Sequence, residues 1–143
     1  MEKEKALLIW EAIYGKEVLW ITDCFGTWMY KEDYGDIDKK RIRPKGDGKL
    51  HTYGWEIDHI RPKDSYQNEK EANFLNNYEP MHWKNNRDKT NSFPHFVINN
   101  NKYRIVKCNI CSGHGFKGYG IINENGERVD WKGIRNEYFA TND

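Results

Sequence analysis

Two neighbouring stretches decide how this chain is read. They are Gly54-Trp55-Glu56-Ile57-Asp58-His59-Ile60-Arg61-Pro62 and Asn77-Tyr78-Glu79-Pro80-Met81-His82-Trp83-Lys84-Asn85-Asn86-Arg87-Asp88-Lys89. The first alternates, with Trp55, Ile57 and His59 to one side and Glu56, Asp58 and Ile60 to the other. This predicts a strand over 55–60 that ends at Pro62. The second predicts a short extended piece over 78–81, then a helix over 82–89 stopped by Asn91-Ser92-Phe93-Pro94. Successive strand residues leave opposite faces, so Asp58 and His59 reach one site only at a strand end or a bulge. Asn86, on the helix, offers an amide oxygen. A carboxylate and an amide oxygen form a hard-oxygen pair suited to Mg²⁺, which keeps several waters and takes further ligands from phosphate. A neighbouring imidazole can deprotonate an attacking water.

Working outward, residues 5–14 predict a helix with Leu7, Leu8, Trp10, Ala12 and Ile13 on its apolar face and Gly15 as its stop. Residues 18–30 are rich in aromatic and β-branched side chains around Gly26, which predicts two short strands and a turn. Residues 35–54, with Pro44, Gly46 and Gly48, read as a polar loop, and 63–76 as a long polar connection. In the last third, 103–106 reads as a strand. Segments 118–122 and 127–131 flank Asn123-Glu124-Asn125-Gly126, whose Asn-Gly favours a hairpin turn. There is no internal repeat and no low-complexity tract.

A chain of 143 residues fits one domain with a modest core. Charged residues make up 31%, but 15% are aromatic, which argues for a folded domain over a disordered one. No apolar run approaches the length of a membrane span, and the charged start Met1-Glu2-Lys3-Glu4-Lys5 lacks a secretory pattern, so a cytoplasmic location is expected. Three cysteines, Cys24, Cys108 and Cys111, do not make a disulfide framework. The net charge of +1 is weak support for a nucleic-acid partner. However, Lys39, Lys40, Arg41, Arg43, Lys45 and Lys49 fall within eleven residues and read either as a phosphate-facing segment or as a solvated loop.

The motif residues resemble those of the HNH (ββα-metal, His-Me finger) endonucleases, in the stand-alone bacterial and phage form. In that family an Asp-His pair ends the first strand, an Asn opens the second, and a helix carries the last metal ligand nine residues after that Asn, with a Lys three residues further on. Asp58-His59, Asn77, Asn86 and Lys89 match these elements. Phe25-Gly26-Thr27-Trp28-Met29, Tyr34-Gly35 and Tyr53-Gly54-Trp55 resemble the stretch that often precedes the motif. The resemblance covers residues 18–94, with the motif at 54–90, and leaves 95–143 as a β-rich extension of unassigned role.

The resemblance implies an α+β fold: a small single domain, 1–143, built around a ββα-metal motif, with an N-terminal helix and a C-terminal β-hairpin region. It implies an endonuclease that hydrolyses phosphodiester bonds in DNA, with RNA as a second substrate, leaving a 5′-phosphate and a 3′-hydroxyl. His59 would be the general base and Asp58 and Asn86 the ligands of one Mg²⁺ or Mn²⁺. Asn77 would hold the loop that orients His59, and Lys89 would contact phosphate or steady the helix. Arg61, Lys84 and Arg87 flank the site and read as phosphate contacts beside the basic run of Lys39, Lys40, Arg41 and Arg43. Glu56 reads as a surface carboxylate, with an acid that supports a metal ligand, or a third ligand, as the alternative, and His82 as structural.

Many relatives bind a structural zinc through two Cys-x-x-Cys pairs. Here His82 and Asn85 stand where the second pair would be and no upstream pair exists, so no zinc is expected in the motif. The connection after Pro62 also lacks the Gly-Gly common in relatives. Cys108-Asn109-Ile110-Cys111, followed by His114, reads as small apolar residues in a Gly-rich turn or, with further ligands, as a zinc site. Two other functions stay open: a catalytically silent nucleic-acid-binding module, and a partner-dependent subunit of a phage, restriction or defence complex. A homodimer is a further arrangement that would cut both strands.

Overall fold

Helix α1 (Lys3–Tyr14) buries Ala6, Ile9, Trp10 and Ile13. That is i, i+3, i+4, i+7 spacing, one helical face. The structure, a computed structural model, describes residues 1–108 and 118–130. Leu8, expected on the apolar face, is instead 60% exposed because it lies outside that stripe. Ala6 and Trp10 pack on Met29 and Trp55, and Ile9 and Ile13 pack on Leu75 and Tyr78. The Trp10 and Trp55 rings stand 4.7 Å apart, and each indole N–H donates to a backbone carbonyl, of Val18 and Lys31 respectively. Burying the large apolar side chains of such clusters is worth roughly 1.5–3 kcal/mol each.

Strands β1 (Trp20–Thr22) and β2 (Trp28–Tyr30) pair antiparallel around a turn at Gly26, which has φ +86°. The turn is fastened by Asp23, whose Oδ1 accepts from the backbone N–H groups of Phe25 and Thr27. The segment 35–54 is not a plain loop. It contains the hairpin β3 (Lys40–Ile42) and β4 (Leu50–Thr52), paired Arg41 to His51 and Ile42 to Leu50. Its strands are short and mostly exposed, so no buried alternation marks them in the sequence. Arginines hold this hairpin to the body. Arg41 forms a bidentate pair with the buried Asp33, at 2.8 and 2.9 Å, and the guanidiniums of Arg41 and Arg43 lie over the rings of Tyr30 and Trp28.

Strand β5 (Trp55–His59) pairs antiparallel with β6 (Tyr78–His82), and helix α2 (Trp83–Lys89) follows at once. The connection between the strands is not featureless. It makes three 3₁₀ turns (Lys63–Ser65, Glu69–Ala72, Leu75–Asn77) and buries Tyr66, Ala72, Phe74 and Leu75. Its apolar anchors are spaced too irregularly to show a period. His82 caps α2: its Nδ1 accepts from the Lys84 N–H, and its Nε2 lies 3.0 Å from Thr52 O. Asp23 Oδ2 accepts from the His82 N–H and from Asn85 Nδ2, tying the β1–β2 turn to the helix start.

The described residues of the C-terminal part form a three-stranded antiparallel sheet: β7 (His95–Ile98), β8 (Asn101–Cys108) and β9 (Gly118–Asn123), in that order. The strands expected at 103–106 and 118–122 match only the middle of β8 and most of β9. The turn after Asn123 forms as expected, but residues 127–130 do not add a strand. They make one bridge, between Ile122 and Arg128, and then Asp130 places a carboxylate where a strand would place a carbonyl, accepting the Ile121 N–H at 3.0 Å. Phe96, Ile98, Ile105, Tyr119 and Ile121 share one core with Ile60, Tyr66, Phe74 and Met81, so the sheet packs directly behind the β5–β6 pair. Trp131, Cys111, His114 and the Cys108 side chain lie outside the described residues. Cys24 is a free thiol packed against that core. No helix among the described residues is long and apolar enough to cross a membrane.

Gly54 leads into β5 with no room for a side chain. A Cβ there would sit 1.6 Å from the backbone oxygen of Asp36. The Gly54 carbonyl accepts the Trp83 N–H at 3.0 Å, so a backbone shift would also pull on the helix start. Gly54→Ala should lower unfolding stability by about 3 kcal/mol, measured by urea denaturation. A midpoint equal to that of the wild type would show that the Asp36 turn yields freely.

Candidate active site

β5 and α2 bring Asp58, His59, Glu56, Asn86 and Arg87 to the wall of one open cavity of about 530 Å³. The strand ends at His59, which is why two adjacent residues can share a site. Beyond it the Ile60 N–H donates to Asn77 O at 2.8 Å and the chain turns away.

Asp58 is 7% exposed. Burial pushes its carboxyl up to about 6, against the opposing pull of the Lys89 ammonium. Lys89 Nζ stands 3.1 Å from Oδ2 and 3.4 Å from Oδ1, and Oδ2 accepts no aligned hydrogen bond. Asn86 faces the same space and donates through Nδ2 to Glu56 Oε1 at 3.3 Å. That bond turns the amide so that its oxygen remains a ligand atom. Glu56, read from the sequence as a surface carboxylate, is thus part of the cavity wall and holds Asn86 there. Among the described residues no three His, Cys, Asp or Glu side chains converge as a metal cage. The donors that do converge are hard oxygens: one buried carboxylate with an unmet oxygen, one amide and Glu56. Such a set fits a cation that keeps much of its water.

His59 lies edge-on to Tyr78, with ring centroids 5.2 Å apart, and its Nε2 is 2.9 Å from Asn73 Oδ1. An amide oxygen only accepts, so Nε2 is the donor in this bond. Asn73 escaped the sequence reading: it sits in the polar connection fourteen residues away, with no motif to flag it.

Asn77 is fully buried and does not line this cavity. Its Oδ1 accepts the Arg61 N–H at 2.9 Å, and its Nδ2 donates to Arg61 O at 3.1 Å and Ala72 O at 3.0 Å. It grips the backbone two residues beyond His59.

Two expected phosphate contacts are placed otherwise. Lys89 has no exposure, and its ammonium serves Asp58, His59 O and Ile60 O, so it cannot reach a phosphate outside. Its steadying alternative is the one its position allows. The Arg61 guanidinium donates to Ser65 Oγ, Ser65 O and Tyr119 Oη and lies over the Tyr66 ring at 4.1 Å. These partners keep it off the cavity wall. Lys84 is exposed but lines no wall of this cavity, whereas Arg87, with its side chain 53% exposed and 3.8 Å from Glu56, does. Lys39 and Lys40 are exposed, Arg41 is committed to Asp33, and Arg43 lines a separate cavity. The basic run is therefore not brought to Asp58 and His59.

Comparisons with protein-family models, with curated proteins and with solved structures each found no match to this chain.

Asn77→Ala strips partners from two carbonyls and one N–H in a buried loop. It should cost about 3 kcal/mol in urea denaturation. A loss under about 1 kcal/mol would mean that water replaces the amide there.

Proposed function

We propose that this chain is a metal-dependent endonuclease of the HNH type, built on a ββα-metal arrangement and hydrolysing phosphodiester bonds in DNA. The carrying observation is the convergence of Asp58, His59 and Asn86 on one cavity where an antiparallel strand pair meets a helix. His59 takes a proton from water while Asn73 holds the ring through Nε2. The water oxygen bonds to phosphorus, the bond to the 3′ oxygen breaks, that oxygen takes a proton from solvent water, and a 5′-phosphate and a 3′-hydroxyl result. Asp58 and Asn86 would hold Mg²⁺ or Mn²⁺, which supplies charge stabilisation at the phosphate. Arg87, at the mouth, is placed to meet a neighbouring phosphate. RNA is a second substrate on the same chemistry.

One observation favours a different reading. The Asp58 carboxylate already has an ammonium 3.1 Å away, which lessens its need for a metal. A nucleic-acid-binding module that does not cut would keep this pair and bind in a salt-sensitive way.

Supercoiled plasmid decides between them. The wild type should nick or linearise it with Mg²⁺ or Mn²⁺ and not in EDTA. His59→Ala should lose about 10²–10⁴-fold of that rate while still binding. Asn73→Ala should lose a smaller share, about 10-fold, with the fold intact. Uncut plasmid with every metal, beside salt-sensitive binding, would sink the nuclease reading and leave the binding module.

A further inference from the structure

The two arginines of the basic hairpin differ in what holds them. Arg41 spends its guanidinium on Asp33. Arg43 lies 4.0 Å over the Trp28 ring, and its one hydrogen bond among the described residues is a long 3.3 Å contact from Nη1 to Pro44 O. It has no ion pair with a described carboxylate. Among the described residues the remaining N–H donors have no partner, and stacking holds their plane in place. Stacked arginine is well suited to phosphate because the fork is pre-organised.

Arg43 lines an open cavity of about 480 Å³ with Trp28, Gly46, His51 and His82. Among the described residues the one carboxylate in that wall, Asp47, is already engaged: its Oδ2 lies 2.8 Å from His51 Nε2, and its Oδ1 accepts the Lys49 N–H. Lys45 and Lys49 add exposed charge on the same hairpin. His82 caps α2, the helix whose later residues line the Asp58 cavity. His82 lines one cavity and Asn86, four residues on, is the first helix residue in the wall of the other, so at about 1.5 Å rise per residue the two linings are about 6 Å apart along the helix, on the order of two base pairs.

We propose that the cavity between β2 and the β3–β4 hairpin is a second phosphate site, in which Arg43, stacked on Trp28, grips the nucleic-acid backbone away from the scissile bond. The proposal rests on the nucleic-acid reading of the first cavity, but not on cutting there.

The test is binding of the full chain to a fluorescent duplex oligonucleotide, with Ca²⁺ in place of Mg²⁺, across a salt series. Arg43→Gln removes the charge while a planar head still covers Trp28, so the hairpin keeps its seat; thermal melting checks that. Its log-log salt slope should be shallower than that of the wild type by about 0.9, with affinity about 3- to 10-fold weaker. Lys102→Gln removes an exposed charge that lines neither cavity and should leave the slope unchanged. The proposal is overturned by an Arg43→Gln slope equal to that of the wild type, by an equal drop in Lys102→Gln, or by no binding of the wild type. A wild type that binds with this slope difference but cuts no plasmid removes the nuclease reading and leaves the second site standing.

Discussion

A buried ammonium must be surrounded by acceptors, and Lys89 meets that demand by joining three parts of the molecule. It reaches from the last turn of α2 to the Asp58 carboxylate and to the carbonyls of His59 and Ile60, with the Phe96 ring of β7 5.4 Å away. Removing one partner of such a pair is strongly destabilising, because the other charge is left uncompensated. The constraint fixes the helix against the strand end, and so fixes Asn86 against Asp58 and His59. It also sets the electrostatics. Asp58 sits in low dielectric yet keeps a cation beside it, so burial and pairing pull its carboxyl in opposite directions, with burial the stronger.

The same strand end is held from its other side. Asn77 closes on both the N–H and the C=O of Arg61, and the Arg61 side chain then spans to Tyr119 of β9 at 2.7 Å. The C-terminal sheet is therefore not a detached appendage of the β5–β6–α2 unit. It shares that unit's core and one of its arginines. The price of this bracing is that Arg61 no longer faces the cavity, although its place in the sequence, two residues past His59, made it look like a substrate contact.

Long-range polar geometry is what the sequence could not display. The β5–β6–α2 order was legible because its residues carry local signals: alternation over 55–60, Pro62 as a stop, and a breaker after Lys89. The α1 helix was legible from its apolar spacing, though not which of Leu8 and Ile9 turned inward, since one residue is a rotation of about 100°. The β3–β4 hairpin was missed because exposed strands bury too little to leave a period, and β7 because its alternation runs for only four residues directly after the Pro94 breaker. Asp23, Asn73 and Asp33 act through side-chain bonds to residues far along the chain, and nothing at their own positions announces the partner. Asp23 is the partial exception, since an Asp three residues before a turn glycine is a common way to fasten a turn.

The charge distribution poses a problem that any polyanion substrate must solve. The Asp58 cavity is walled by Glu56, Asp58, Asp64 and Glu69 against Lys63 and Arg87. Four carboxylates against two cations repel a phosphate backbone unless the excess is neutralised. Lys89 offsets Asp58 from behind, and a bound divalent cation would offset more, which is the electrostatic reason to expect metal dependence on the proposed reading. Neutralising the cavity does not by itself make it attractive. Attraction has to come from cations held elsewhere, and the hairpin that carries Lys39, Lys40, Arg43, Lys45 and Lys49 is where this chain concentrates them. A nearly neutral chain can then still bind nucleic acid, because what a backbone meets is the local field of one face and not the net charge.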